Sequence, residues 1–91
     1  MTVDFERDPA KAESNLEKHG VDFADAAVAF EDPHALTIRD PYGEEEERFL
    51  TLCVDPVGRT SVVVFTRRSE SIRTISARQA IPRERREYEG G

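Results

Sequence analysis

Asp8-Pro9-Ala10-Lys11-Ala12-Glu13-Ser14-Asn15-Leu16-Glu17-Lys18-His19-Gly20-Val21-Asp22-Phe23 reads as a helix whose start and stop are both written in, followed at once by the start of a second helix. Asp8 suits the N-cap because its carboxylate can accept from the orphan amides of the first turn. Pro9 has no N–H to leave unpaired at the first helical position. Gly20 supplies the left-handed residue that ends the helix, and Asp22 caps the next one. Helical periodicity places Lys11, Asn15 and Lys18 along one side, with Ala12, Leu16 and His19 beside them. A basic side chain, an amide and an imidazole at a helix end have the chemistry to handle a phosphodiester.

Outward from this stretch, the second helix is expected over Phe23 to Phe30. Phe23, Ala26, Ala27 and Phe30 form its apolar face, Val21 and Ala26 suit a hydrophobic staple, and Asp32-Pro33 is the stop. Val3 to Glu6 reads as a short first strand. Downstream the period changes to two. Ala35 to Arg39 alternates, Asp40-Pro41-Tyr42-Gly43 turns, and Arg48 to Val54 alternates again. Asp55-Pro56-Val57-Gly58 fits a type I turn. Val62 to Phe65 is apolar on both faces and so reads as a central strand. Arg68 to Ser71 is a short loop, and Ile72 to Ala77 is the last strand. Short connections between successive strands make an antiparallel meander, and the two N-terminal helices must cover one face of it. The expected class is α+β. A C-terminal helix over Pro82 to Glu89 opens with Arg83, Arg85 and Arg86 and closes with Glu87 and Glu89, against the helix dipole. It should therefore be short, or held by the sheet or a partner, with 89–91 frayed.

The 91 residues are expected to form one domain spanning 1–91. No apolar run approaches the ~20 residues of a membrane span, and the N-terminus, with Asp4, Glu6 and Asp8, does not look like a signal peptide. The single cysteine, Cys53, lies inside an expected strand and reads as a small buried apolar residue. A reducing cytoplasm follows as the expectation. The net charge of −6 is unevenly distributed. Residues 1–57 carry a balance of −10 and residues 58–91 one of +4, and all eight cations of the second segment are arginine. Arginine serves where planar, two-pronged contact with phosphate or carboxylate is wanted. An arginine-rich solvated face is the plainer alternative.

RNA can be cleaved without a metal when a base takes the 2′-OH proton and cations stabilise the phosphorane. His19 can move protons, or it can simply cap the end of its helix. His34 reads as a surface residue. Glu47 and Arg48 could serve as base and phosphate clamp, although Glu44, Glu45 and Glu46 make the run look like a solvated turn. No ligand spacing for a metal is visible. On strict alternation Ile72, Thr74, Ser76 and Arg78 share one face of the last strand, and Arg73, Ile75 and Ala77 the other. If Ile75 and Ala77 pack under the helices, the open face presents two hydroxyls and a guanidinium to a nucleic-acid backbone. Arg67 and Arg68 end the preceding strand, and alternation alone does not say which points inward. Tyr88 can stack on a base or pack the tail onto the sheet.

Together with Glu47-Arg48-Phe49, Gly58-Arg59, Thr66-Arg67, Ile72 through Ala80 and Glu84-Arg85 through Tyr88, the opening stretch resembles the BrnT family. The resemblance runs from Phe5 to Tyr88. It implies a fold similar to RelE toxins and a cytoplasmic endoribonuclease of a type II toxin–antitoxin system that lowers translation and growth. It further implies neutralisation by a BrnA antitoxin. That antitoxin's ribbon-helix-helix domain contacts operator DNA in a complex with two copies of each protein. The match carries over to Lys11, Asn15, His19, Glu47, Arg48, Arg67, Arg73, Ser76 and Arg78. The reading it supports makes His19, Glu47, Arg67 and Arg78 catalytic, and Lys11, Lys18, Arg48, Arg73, Ser76 and Tyr88 RNA-binding, with no metal or other cofactor and no membrane partner. Lys11 and Lys18 are the only lysines, which points away from a ribosome-dependent cutter. The reading requires the C-terminal arginines to converge on one cationic pocket. The alternative is a non-catalytic partner that serves as the antitoxin's docking surface.

Overall fold

The cap signals at both ends of the first helix act as the sequence implies. In the computed structural model the Asp8 carboxylate accepts from the Ala10 N–H at 2.9 Å, and Gly20, at φ 71°, donates its N–H to the Leu16 carbonyl at 2.9 Å. Asp22 repeats the device on Ala24 N–H at 2.9 Å. The structure describes residues 4–6, 8–40, 47–68 and 71–90. Their order is β1 (Asp4–Glu6), α1 (Pro9–His19), α2 (Phe23–Ala29), β2 (Leu36–Arg39), β3 (Arg48–Val54), β4 (Thr60–Arg68), β5 (Ser71–Gln79) and α3 (Pro82–Tyr88). The expected turn at Asp40–Gly43 and the glutamates 44–46 fall largely outside the described residues. Helix α2 stops one residue early, with Phe30 as its C-cap.

The sheet runs β1-β5-β4-β3-β2. Strands β2 to β5 form the expected antiparallel meander, and the fold is α+β. The first strand departs from it: β1 joins the outer side of β5 in parallel, pairing only with residues 71–73. On one face Phe49, Thr51 and Cys53 of β3 oppose Phe65, Val63 and Ser61 of β4. Helices α1 and α2 cover this face, and the core there gathers Val21, Phe23, Ala26, Ala29, Cys53, Val63 and Ala77. Cys53 is fully buried, and burial pushes its thiol up to about 12, so it behaves as the expected apolar filler.

Strict alternation fails in β5. Ser76 pairs with Val64 but Thr74 pairs with Phe65, which makes Ile75 the extra residue of a bulge. The bulge resets the phase. Ile72 and Thr74 turn to the helix face with Ala77, while Arg73, Ser76 and Arg78 share the opposite face. Thr74 is accordingly buried rather than offered on the open side.

Helix α3 approaches the sheet at β3 and is tied down at both ends. Arg78 grips Glu84 through two bonds of 2.8 and 2.9 Å, and Glu84 Oε1 also accepts the Ile81 N–H at 2.9 Å. Tyr88 donates its hydroxyl to Asp32 Oδ2 at 2.5 Å. In the helix as formed Glu84 falls in the first turn and Arg85 and Arg86 in the last, so these charges suit the dipole rather than oppose it as the sequence suggested.

Candidate functional site

Lys11, Ser14, Asn15, Lys18 and His19 recur at the spacing that keeps residues on one side of a helix. That side of α1 lies along β5 beyond Arg73, where no strand pairs on the outer side among the described residues. Between them opens a cleft of about 300 Å³, completed by Ile75 and Ser76. Of its side chains Asn15 is the buried one. Its Nδ2 donates to Val21 O at 2.9 Å and Ala77 O at 2.8 Å, and its Oδ1 accepts the Ala77 N–H at 3.1 Å. The amide is fully used in fixing α1 to β5 and is a positioning residue. A second tie secures the helix end. Arg59 bridges Asp55 (2.8 Å) and the Gly20 carbonyl (3.1 Å). Asp55 in turn accepts from the Val57 and Arg59 amides, which shapes the β3–β4 turn.

His19 sits between these two anchors. The helix end is closed by the Gly20 N–H on Leu16 O, and the imidazole makes no hydrogen bond among the described residues. Its capping role is therefore taken by the backbone. Lys11 and Lys18 are exposed and form no ion pair among the described residues. An imidazole, two ammonium groups and the hydroxyl of Ser14 thus line one open groove, with Ser76 at its β5 margin. Ser14 is the member that the sequence reading missed, although its place three residues after Lys11 and four before Lys18 puts it on the same stripe. Leu16, which periodicity places beside that stripe, is 46% exposed.

The other expected site residues lie elsewhere, and the single arginine pocket is not formed. Arg67 turns to the helix face and lines a separate cavity. Arg48 and Arg73 flank Thr66 in one register row on the opposite face. Arg78, on that same face, is committed to Glu84. The pairing holds the guanidinium further above its ordinary value and Glu84 below the usual carboxylate range. Glu47 makes an exposed contact with Arg39 at 3.5 Å. Tyr88 is spent on Asp32: that bond, chiefly, lowers the carboxyl and pushes the phenol up to about 12. The physical reason for the dispersal is the sheet itself. Alternation and the β5 bulge send neighbouring arginines to opposite faces, Glu84 on α3 engages Arg78, and Arg39 on β2 engages Glu47.

Beside α3 on that second face runs an apolar groove formed by Leu36, Ile38, Leu50, Leu52 and Val62, with Glu84 and Glu87 at its rim. Ile38 is 62% exposed. Among the described residues no three His, Cys, Asp or Glu side chains converge, and no helix is long and apolar enough to cross a membrane.

Residues 8–84 match the family described as ribonuclease toxin, BrnT, of type II toxin–antitoxin system. No curated protein matches the chain in sequence. Among solved structures, the 1.1 Å crystal structure of the Brucella abortus ribonuclease toxin BrnT is similar, with a TM-score of 0.67 and 27% identity. The similarity covers 88% of this chain and 99% of that one. Type II systems pair each toxin with an antitoxin, so the family implies such a partner here. With the match spanning most of the chain and the α+β fold shared, the protein belongs to the BrnT family of ribonuclease toxins.

Proposed function

We propose that the protein is a metal-independent endoribonuclease whose cleavage of RNA in the cytoplasm lowers translation and arrests growth. In place of the converging arginines, which the structure does not form, the observation that carries this reading is the α1–β5 cleft, where His19, Lys11 and Lys18 share a groove and none has a partner among the described residues. The His19 imidazole takes the proton of the 2′-OH, whose oxygen attacks the adjacent phosphorus. The two ammonium groups offset the charge that develops on the phosphorane. The P–O5′ bond then breaks, solvent water protonates the leaving oxygen, the hydroxide left behind takes the proton held by His19, and the products are a 2′,3′-cyclic phosphate and a 5′-OH. Ser14 offers its hydroxyl to a non-bridging oxygen, while Arg48 and Arg73 steer the flanking backbone by charge.

The partner in this reading is a BrnA-type ribbon-helix-helix antitoxin, two copies to two toxins, which alone contacts operator DNA. The exposed Leu36–Ile38 groove supports a protein partner, because a contiguous apolar patch on a small domain is usually covered in use.

The test is induction in a bacterium without antitoxin, alongside purified protein incubated with RNA in EDTA. Wild type should arrest growth and cut RNA in EDTA, and His19→Ala and Lys11→Ala/Lys18→Ala should do neither. Intact RNA with wild type would remove the metal-free mechanism. Equal toxicity of all three proteins would remove the cleft, and normal growth with wild type would favour a non-catalytic docking partner.

A further inference from the structure

A second cavity, of about 290 Å³, lies on the helix face and is lined by Phe30, Thr37, Phe49, Phe65, Arg67 and Ile72. From its chemistry we infer that this cavity is a subsite for one unstacked nucleobase of the RNA, with Arg67 at the adjoining phosphate. The inference rests on the reading of RNA as substrate and adds where a base is held.

Three observations meet here. First, the wall is aromatic and ordered: Phe65 takes the edge of Phe30 at 4.8 Å and stacks on Phe49 at 5.4 Å with 24° between planes. Phe49 is only half-buried, so part of its ring borders the cavity. Flat aromatic surface of this kind is what single-stranded RNA modules use to seat a base. Second, Arg67 is exposed and forms no ion pair among the described residues. It is the lone charged group of the lining, so the occupant should be an uncharged ring attached to an anion. Third, one hydroxyl is available. Thr37 Oγ1 and Thr51 Oγ1 are 2.8 Å apart, and Thr51 is fully buried with that contact as its side chain's bond. Either hydroxyl can be the donor of that pair, and the exposed Thr37 Oγ1 keeps further hydrogen-bonding capacity for a polar atom of a ring.

The cavity volume is at the lower end for ligand pockets and suits a single ring system. Its place fits the cleft as well. Ile72 in the cavity and Ile75–Ser76 in the cleft are separated by roughly 10 Å along β5, so one strand of RNA can reach both.

The experiment titrates the full-length protein with each of the four nucleoside 5′-monophosphates, with ribose 5-phosphate and with inorganic phosphate, and follows the ring resonances of Phe49 and Phe65. Nucleotides should shift these rings, and the two base-free phosphates should not. Arg67→Ala, at an exposed position, and Phe49→Leu, which keeps bulk but removes the ring, should each weaken nucleotide binding about tenfold. Rings that stay unmoved, equal shifts with ribose 5-phosphate, or wild-type affinity in both variants would overturn the subsite. So would ring shifts produced by an antitoxin peptide and by no nucleotide, since the occupant would then be protein. Binding is read apart from turnover. Nucleotide binding with RNA left intact supports the subsite and overturns the hydrolytic reading. RNA cleavage with silent rings overturns the subsite alone.

Discussion

The α1–β5 cleft and the α3 contact both depend on cations, and the two regions use them in opposite ways. In the cleft, Lys11, Lys18 and His19 face solvent with no partner among the described residues, while the neighbouring Asn15 and Arg59 carry the structural bonds. At α3 the cation itself is the structural bond, because Arg78 meets Glu84 and holds the helix to the sheet. A charged side chain is available for chemistry when something else nearby holds the fold. The comparison predicts that activity and stability separate between the two regions.

The largest effect expected is on rate. His19→Ala should lower RNA cleavage by about 10²–10⁴-fold, the usual contribution of a general base. Its melting temperature should stay that of wild type, since the imidazole makes no bond that folding needs. Initial rates and thermal melts on one preparation check both halves, and a large loss of Tm would break the comparison.

Asn15→Ala should cost on the order of 3 kcal/mol, because the buried groups of Val21 and Ala77 lose their partner. Denaturant unfolding measures it. A loss under ~1 kcal/mol would mean that water replaces the amide.

Arg78→Ala sharpens the other side. The pair is two-pronged but partly exposed, so about 1 kcal/mol is expected, or about 4–8 °C of Tm in a domain of this size. The loss should appear first as faster amide exchange in Pro82–Tyr88 than in the sheet.

The smallest effect is the pH response of the same helix. Tyr88, with the His34 and Val54 amides, lowers the Asp32 carboxyl, and Arg78 lowers that of Glu84. Groups depressed in this way add stability above the unfolded carboxylate range, near pH 4, and lose it as pH falls through their folded values. Tyr88 is shifted the other way, to about 12. Its contribution is whole below about pH 10 and fades as the phenol ionises. Exchange across α3 should therefore rise at both extremes and stay flat between. Tyr88→Phe should abolish the alkaline limb and leave the Glu84 part of the acid limb.

Local signals were legible in proportion to how local their physics is. Asp8, Pro9, Gly20 and Asp22 mark α1 and the start of α2 because caps and left-handed residues act within a turn. The meander was legible through alternation and its turns. The phase of β5 was not, since a bulge at Ile75 depends on how β4 and β5 register, and Ile75 carries no turn or glycine signal of its own. The arginines show the same limit. Composition reveals that they cluster in sequence, but the pairing of Arg78 with Glu84 depends on where α3 docks. Asn15 was legible as a member of the stripe, yet its bonds to Ala77 span 62 positions. The helix-face cavity escaped notice because Phe30, Phe49 and Phe65 come from three elements.

The amide of Asn15 has one more consequence. By occupying the Ala77 N–H and C=O on the outer margin of the sheet, it blocks the place where a sixth ribbon would dock. Among the described residues β1 covers only positions 71–73 of that margin, and an unpaired strand edge is a place where another strand can pair. An added strand would first have to displace that one side chain to reach the Ala77 backbone.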